Sequence, residues 1–189
     1  MSFILRPFHQ QRGKTRILAA SNCLGLAVLL TSRSSMTWFL NEKTNDRLID
    51  SLIQYEVLKT PEIIQILRET DRANFCVERG SAYVDSPSPI GYGATISAPH
   101  MHASALELLK EQLRPGNKAL DVGSGSGYLS AAMAKLVTAG NAQGKVIGMD
   151  HIPQLVEMSK NNCCKDIGLT TLIEHGMWQC DAFDNFAES

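Results

Sequence analysis

Three glycines, Gly123, Gly125 and Gly127, alternate with Ser124 and Ser126 directly after Ala119-Leu120-Asp121-Val122. Glycines let a ligand approach the main chain, and free N–H groups at the start of a following helix suit polar ligand atoms. The spacing is G-x-G-x-G. A dinucleotide fingerprint places its third glycine one residue later, where Tyr128 stands, and a phosphate loop closes on a Lys-Ser or Lys-Thr pair that is missing here. The pattern fits an S-adenosylmethionine loop better than a phosphate loop. A second signal lies downstream, where the apolar run Lys145 to Met149 ends in Asp150-His151. An acid at the end of a second strand, about 20 residues beyond such glycines, can accept hydrogen bonds from ribose hydroxyls. Asp150 has that spacing. A solvated loop acid, or a cap for a helix starting at Pro153, is its other reading.

The elements that must position these groups are legible in outline. Strand, glycine loop, helix from Tyr128 to Leu136, strand and acid occur in the order of an open α/β sheet. Upstream, Leu48, Ile49, Leu52 and Ile53 mark one apolar helix face. Thr60-Pro61 reads as a capping hydroxyl before a proline at the first helical position, with Ile63, Ile64 and Leu67 as the buried stripe. Residues 80–99, rich in proline and glycine, read as a loop with little regular structure. Helix resumes at Pro99 with Met101, Ala105, Leu108 or Leu109, and Leu113 facing inward, and Pro115-Gly116 ends it. A helix follows from about Pro153 to Asn162, and Thr170 to Ile173 reads as a third, very short strand.

Hydrophobic residues make up 44% and charged residues 20% of the 189 residues, ordinary values for a globular domain. The net charge of −1 is unevenly spread. Residues 1–35 carry five basic groups and no acid, leaving 13 basic against 19 acidic groups elsewhere, a net of −6. An acidic body without a basic stripe argues against nucleic acid as a partner. Five cysteines without a C-x-x-C pair fit neither a zinc ribbon nor a disulfide framework, so reduced thiols in a cytosol-like compartment are expected. The apolar run Ile17 to Leu30 is short for a bilayer span, which takes about 20 residues. Residues 1–35 thus read as an upstream extension, a secretory signal or an organelle transit segment, with Met36 as a candidate original start.

The segment Ile90-Gly91-Tyr92-Gly93-Ala94-Thr95-Ile96-Ser97-Ala98-Pro99-His100-Met101-His102 is more specific. Together with Asp85-Ser86-Pro87, the glycine loop and Val146 to His151, it resembles the protein-L-isoaspartate (D-aspartate) O-methyltransferases over residues 37 to 162. The resemblance implies an α/β, Rossmann-like methyltransferase fold with C-terminal strands missing. It implies an S-adenosyl-L-methionine-dependent protein carboxyl O-methyltransferase, a repair enzyme whose partners are isoaspartyl-containing proteins and peptides. Ser97 matches the family's active-site serine. Ala94, Thr95 and Ile96 match the adjoining cofactor-contacting backbone, His102 a cofactor-contacting histidine, Ser126 the glycine-loop contact, and Asp150 with His151 the ribose and adenine edge. Gly123, Gly125 and Gly127 complete the cofactor set, with Asp121 orienting the loop or meeting the cofactor's amino group.

Each residue has a plainer reading. Ser97 could cap the next helix, and Asp121 could be a strand-end acid. His100 and His102 could suggest a metal, but no third ligand stands nearby, so none is expected. A nicotinamide oxidoreductase is disfavoured by Tyr128, and a different methyltransferase has no reason to carry the Ile90–His102 segment. The family also continues through a third strand with an Asp-Gly pair contacting adenine. Here Leu172 to Met177 does not reproduce that region, and Asp181 is followed by Ala182. The chain therefore reads as a truncated version, with a catalytically silent binding or regulatory fragment as the alternative. The expected organisation is an extension or targeting segment (1–35), a helical part with the acceptor loop (36–116), the start of the Rossmann-like core (117–165) and a divergent acidic tail (166–189). A cytoplasmic monomer without stable membrane association is expected.

Overall fold

The computed structural model describes residues 15–20 and 40–182. In chain order, the elements are β1 (Thr15–Ala20), α1 (Asn45–Gln54), α2 (Pro61–Glu69), β2 (Ser88–Gly91), β3 (Ala94–Ile96) and α3 (Pro99–Leu109). There follow β4 (Lys118–Val122), α4 (Tyr128–Val137), β5 (Lys145–Asp150), α5 (Pro153–Cys163), α6 (Ile167–Glu174) and β6 (Trp178–Ala182). Four strands form a parallel sheet in the order β1-β4-β5-β6, and β2 and β3 form a separate antiparallel hairpin. Parallel neighbours need crossover connections, and α4 and α5 supply those between β4, β5 and β6.

The period-2 alternation of the sheet decides what packs under the helices. Ala119 and Asp121 on β4, Val146 on β5, and Trp178 and Cys180 on β6 are all buried. Apolar helix faces close over them: Ala131, Ala132, Met133, Ala134 and Val137 of α4 are completely inaccessible, and Leu155, Cys163 and Leu169 add to the same core. Ahead of the sheet, α1 buries Leu48, Ile49 and Leu52, as its spacing requires, and α2 buries Ile63 and Leu67.

Several local readings need correction. The carboxylate of Glu107 on α3 caps α2, accepting the N–H groups of Lys59 and Thr60 at 2.7 Å each and the Thr60 hydroxyl at 2.6 Å. Thr60 is thus a donor to its own cap. Residues 80–99 are not irregular throughout, because the β2–β3 hairpin lies inside them. On α3 the inward stripe is His102, Ala103 and Leu106, while Leu108 is 67% exposed. The helix starts at Pro99, Leu109 packs against the core and Leu113 beyond it is buried as expected, while the polar His102 shares the inward face with Ala103 and Leu106. Thr170 to Ile173 lie in α6, not in a strand. Asp166 caps this helix by accepting the Leu169 N–H at 3.2 Å, and the cap outweighs the β-branched composition. The third strand in sequence of the core is β6, where an acidic tail is expected.

Residues 15–20, read above as part of an extension, pair in parallel with β4, Ala20 lying opposite Val122. The remainder of residues 1–39 lies outside the described residues, as do residues 183–189. Among the described residues, no helix is long and apolar enough to cross a membrane.

Candidate active site

The acceptor loop is built by a tight hairpin. Gly91, Tyr92 and Gly93 all take positive φ (91°, 54° and 73°), which only glycine adopts without cost and which leaves Tyr92 exposed at the tip. The second strand runs through Ala94, Thr95 and Ile96 into Ser97. Ile90 is fully buried, and its Cδ1 would lie 3.3 Å from a Cβ added at Gly125. Hairpin and glycine loop are therefore packed against each other, although more than 25 residues of chain separate them. Ser97 does not occupy the cap position of α3, which falls at Ala98. Asp85 serves that end instead, accepting the His100 N–H at 2.9 Å while its two oxygens hold His100 Nδ1 at 2.9 Å each.

The donors of the glycine loop are satisfied mainly by β5. Gly123 and Ser124 donate their N–H groups to the Met149 carbonyl at 2.8 and 3.0 Å, and Gly127 donates to the Ser124 carbonyl at 2.9 Å. Gly125 donates to Asp150 Oδ2 at 3.0 Å. The expected row of free donors is thus largely spent on tying the loop to β5. Gly127 has φ 90°, and a Cβ there would stand 2.2 Å from the Ser159 hydroxyl of α5. This glycine is required by packing as well as by backbone conformation.

Asp150 is 4% exposed at the carboxyl end of β5. Its Oδ1 accepts the Ile152 N–H at 3.1 Å, so it both braces the glycine loop and supports the entry to α5. Each oxygen retains lone-pair capacity for another donor. His151 Nδ1 lies 3.4 Å from Asp150 Oδ1, and its side chain is 75% exposed. Asp121 lies under α4, fully buried, where Oδ2 accepts the Ser130 hydroxyl at 2.6 Å and Oδ1 has no partner. Burial chiefly, with the charge of Asp150 adding to it and the Ser130 hydrogen bond opposing it, pushes the carboxyl up to about 7.

Between the two loops lies a cavity of about 10 Å³ lined by Thr95, Ile96, Ser97, His102, Ser124, Gly125, Ser126, Tyr128 and Leu129. That is room for about one water. The structure thus brings together Thr95, Ile96, Ser97, His102, Gly125 and Ser126, with Asp150 directly behind Gly125. Ala94, Gly123, Gly127, His151 and Asp121 stand outside the lining. His102 is buried, and burial, then the nearby Arg72 and His100, keep its imidazole well below its ordinary pKa and hence neutral. One further residue at the site carries no signal in the sequence. Arg72, fully buried in a single-turn 3₁₀ helix (Arg72–Asn74), donates to the Ser97 carbonyl at 2.7 Å. An isolated arginine before Phe75 carries no periodic signal. Asp181, set aside above because Ala182 rather than glycine follows it, is brought to the carboxyl end of the sheet by its register with Met149. Among the described residues, no group of three or more His, Cys, Asp or Glu is placed to hold a metal.

A glycine loop at the carboxyl end of one parallel strand, an acid at the end of the next and a hairpin packed against the loop define a Rossmann-like domain of the methyltransferase type. Residues 42–176 match the family model for protein-L-isoaspartate(D-aspartate) O-methyltransferase. The chain belongs to that family. The match runs past Asn162, where the sequence motifs fade. A protein-L-isoaspartate O-methyltransferase of Triticum aestivum is 52% identical over 118 residues, covering 62% of this chain and 50% of the relative. One from Caenorhabditis elegans is 45% identical over 130 residues, covering 69% and 56%. Among solved structures, a Plasmodium falciparum beta-aspartate methyltransferase in complex with S-adenosyl-L-homocysteine superposes with a TM-score of 0.68 at 33% identity, covering 74% of this chain and 63% of that one. The chain spans about half the length of the curated relatives it matches.

Proposed function

We propose that this chain carries the methyl-transfer site of a protein-L-isoaspartate O-methyltransferase and acts on the free α-carboxylate of isoaspartyl residues in damaged proteins. The observation that carries this reading is the contact between the two loops. Ser97 and His102 of the acceptor side line one cavity with Gly125 and Ser126 of the glycine loop. The residues fit S-adenosylmethionine in kind, because a buried carboxylate with spare lone pairs suits two ribose hydroxyls, and hydroxyl-bearing side chains suit the polar amino-acid end. Asp150 would take the ribose, with His151 and Asp181 at the adenine edge, and the backbone of Ala94, Thr95 and Ile96 with Ser126 and His102 would line the rest. When bound, the cofactor supplies a methyl group activated on a sulfonium.

The chain's own residues have positions to hold rather than protons to move. A carboxylate with an ordinary pKa near 4 is already ionised at neutral pH, so no general base is needed. Ser97 would donate to one oxygen of that carboxylate and orient the other. Good alignment of two reactants is worth about 7–11 kcal/mol of barrier. The cavity holds about one water and marks where hairpin and glycine loop meet.

The test is radiolabelled methyl transfer by the full chain to an isoaspartyl peptide beside the same peptide with ordinary aspartate. Base-labile label on the isoaspartyl peptide alone is expected. No label above background on either peptide would favour the catalytically silent reading.

A further inference from the structure

Arg72 has no carboxylate within ion-pair distance among the described residues, although it is completely buried. Its hydrogen bonds go to neutral acceptors: Nε to the Ala82 carbonyl at 2.9 Å, Nη2 to the Ser97 carbonyl at 2.7 Å and Nη1 to His102 Nδ1 at 3.2 Å. Its Cζ also stands 5.4 Å from the centre of the Tyr128 ring, a cation–π contact. Burying a cation without a counter-ion is costly, and an apolar side chain would fill the same space more cheaply. The cost points to a task that only a fork of donors can perform.

A guanidinium has donors and no acceptor, and it keeps its proton in proteins. His102 Nδ1 must therefore offer its lone pair, and the proton of the neutral ring sits on Nε2. We propose that Arg72 is a positioning residue of the methyl-transfer site: it anchors the acceptor loop through the Ser97 carbonyl and locks His102 in the Nε2–H tautomer beside the cavity. This rests on the methyl-transfer reading above for its kinetic consequence and on geometry alone for the tautomer. The charged or titratable groups around His102 are Arg72 on the 3₁₀ turn, Tyr128 on α4 and His100 on its own helix, with Asp85 and Cys76 acting on Arg72 from further out. Burial, Arg72 and His100 all oppose protonation of the ring.

Long-range proton–nitrogen correlation spectra of the histidine-labelled full chain test this directly, with the His102 signal assigned by His102→Gln. The expected result is a neutral ring with Nε2 protonated from about pH 5 to about pH 8, the range in which an ordinary histidine titrates. An Nδ1–H tautomer, or protonation within that range, would overturn the proposal. In Arg72→Met the tautomers should mix, and KM for an isoaspartyl peptide should rise at least about tenfold, the scale of one lost charge-assisted hydrogen bond. Arg72→Lys should recover part of both. A pure Nε2–H ring and an unchanged KM in Arg72→Met would reduce Arg72 to packing and overturn the proposal. The tautomer is read without turnover, so absence of methyl transfer in the parent chain counts against the activity, whereas a wrong tautomer counts against Arg72.

Discussion

Replacing Asp121 by Asn should stabilise the protein at alkaline pH and do little at acid pH. The carboxyl is fully buried, one oxygen meets only the Ser130 hydroxyl, and the other has no partner. Its folded pKa, raised to about 7, lies above the ordinary value of 3.8. An acid whose folded pKa is raised binds more protons folded than unfolded, so stability falls as pH climbs from the unfolded value to the folded one. Below about pH 4 the penalty is absent; above about pH 7 it reaches roughly 4 kcal/mol, from about three pKa units at 1.36 kcal/mol each. Asparagine keeps an acceptor for Ser130 without the titration. The stability gap between Asp121→Asn and the parent should therefore widen, in favour of the variant, by about 3 kcal/mol from about pH 5 to about pH 8. Urea unfolding of both proteins at the two pH values measures it, and every other titrating group cancels in the difference. A gap constant within about 0.5 kcal/mol, ordinary for an unperturbed site, would refute the idea that this acid is stranded under α4.

Three other outcomes can be checked. Gly127→Ala combines a positive φ with a collision against Ser159 and should cost about 2–4 kcal/mol in urea unfolding; Ser159→Gly in the same background should restore part of that, and no recovery would rule the collision out. Glu107→Ala strips the cap from α2 and should cost about 1–2 kcal/mol, read as a lower denaturation midpoint; an unchanged midpoint would show that water replaces the carboxylate. Ser97→Ala should raise the methyl-transfer barrier by about 1–3 kcal/mol while cofactor affinity changes less; normal turnover would remove Ser97 from the site.

Much of this arrangement was legible because it is local. The order strand, glycine loop, helix, strand and acid placed β4, α4, β5 and Asp150 correctly, and an apolar period of 3.6 found the buried faces of α1 and α2. What failed depends on partners distant in sequence. Glu107 caps a helix 47 residues upstream, a relation that no periodicity records. Thr170 to Ile173 have the composition of a strand, yet Asp166 nucleates a helix there. The inward face of α3 includes the polar His102, which Arg72 and Tyr128 meet from other elements, so an apolar count alone misjudges it. In the sequence Asp121 reads as orienting the glycine loop or meeting the cofactor, whereas period-2 alternation turns it beneath α4, where it meets Ser130. The hairpin escaped because its two strands are only four and three residues long and contain a proline.

On this reading, hairpin and glycine loop form one nucleoside site built for a sulfonium cofactor and not for a dinucleotide. Calorimetric titration of the full chain with S-adenosyl-L-homocysteine and, separately, with NAD distinguishes the two. Saturable binding of S-adenosyl-L-homocysteine, weakened at least about tenfold by Asp150→Ala as expected when a charged hydrogen-bond acceptor is lost, with no heat from NAD, is the expected result. Saturable NAD binding with no S-adenosyl-L-homocysteine signal would contradict it.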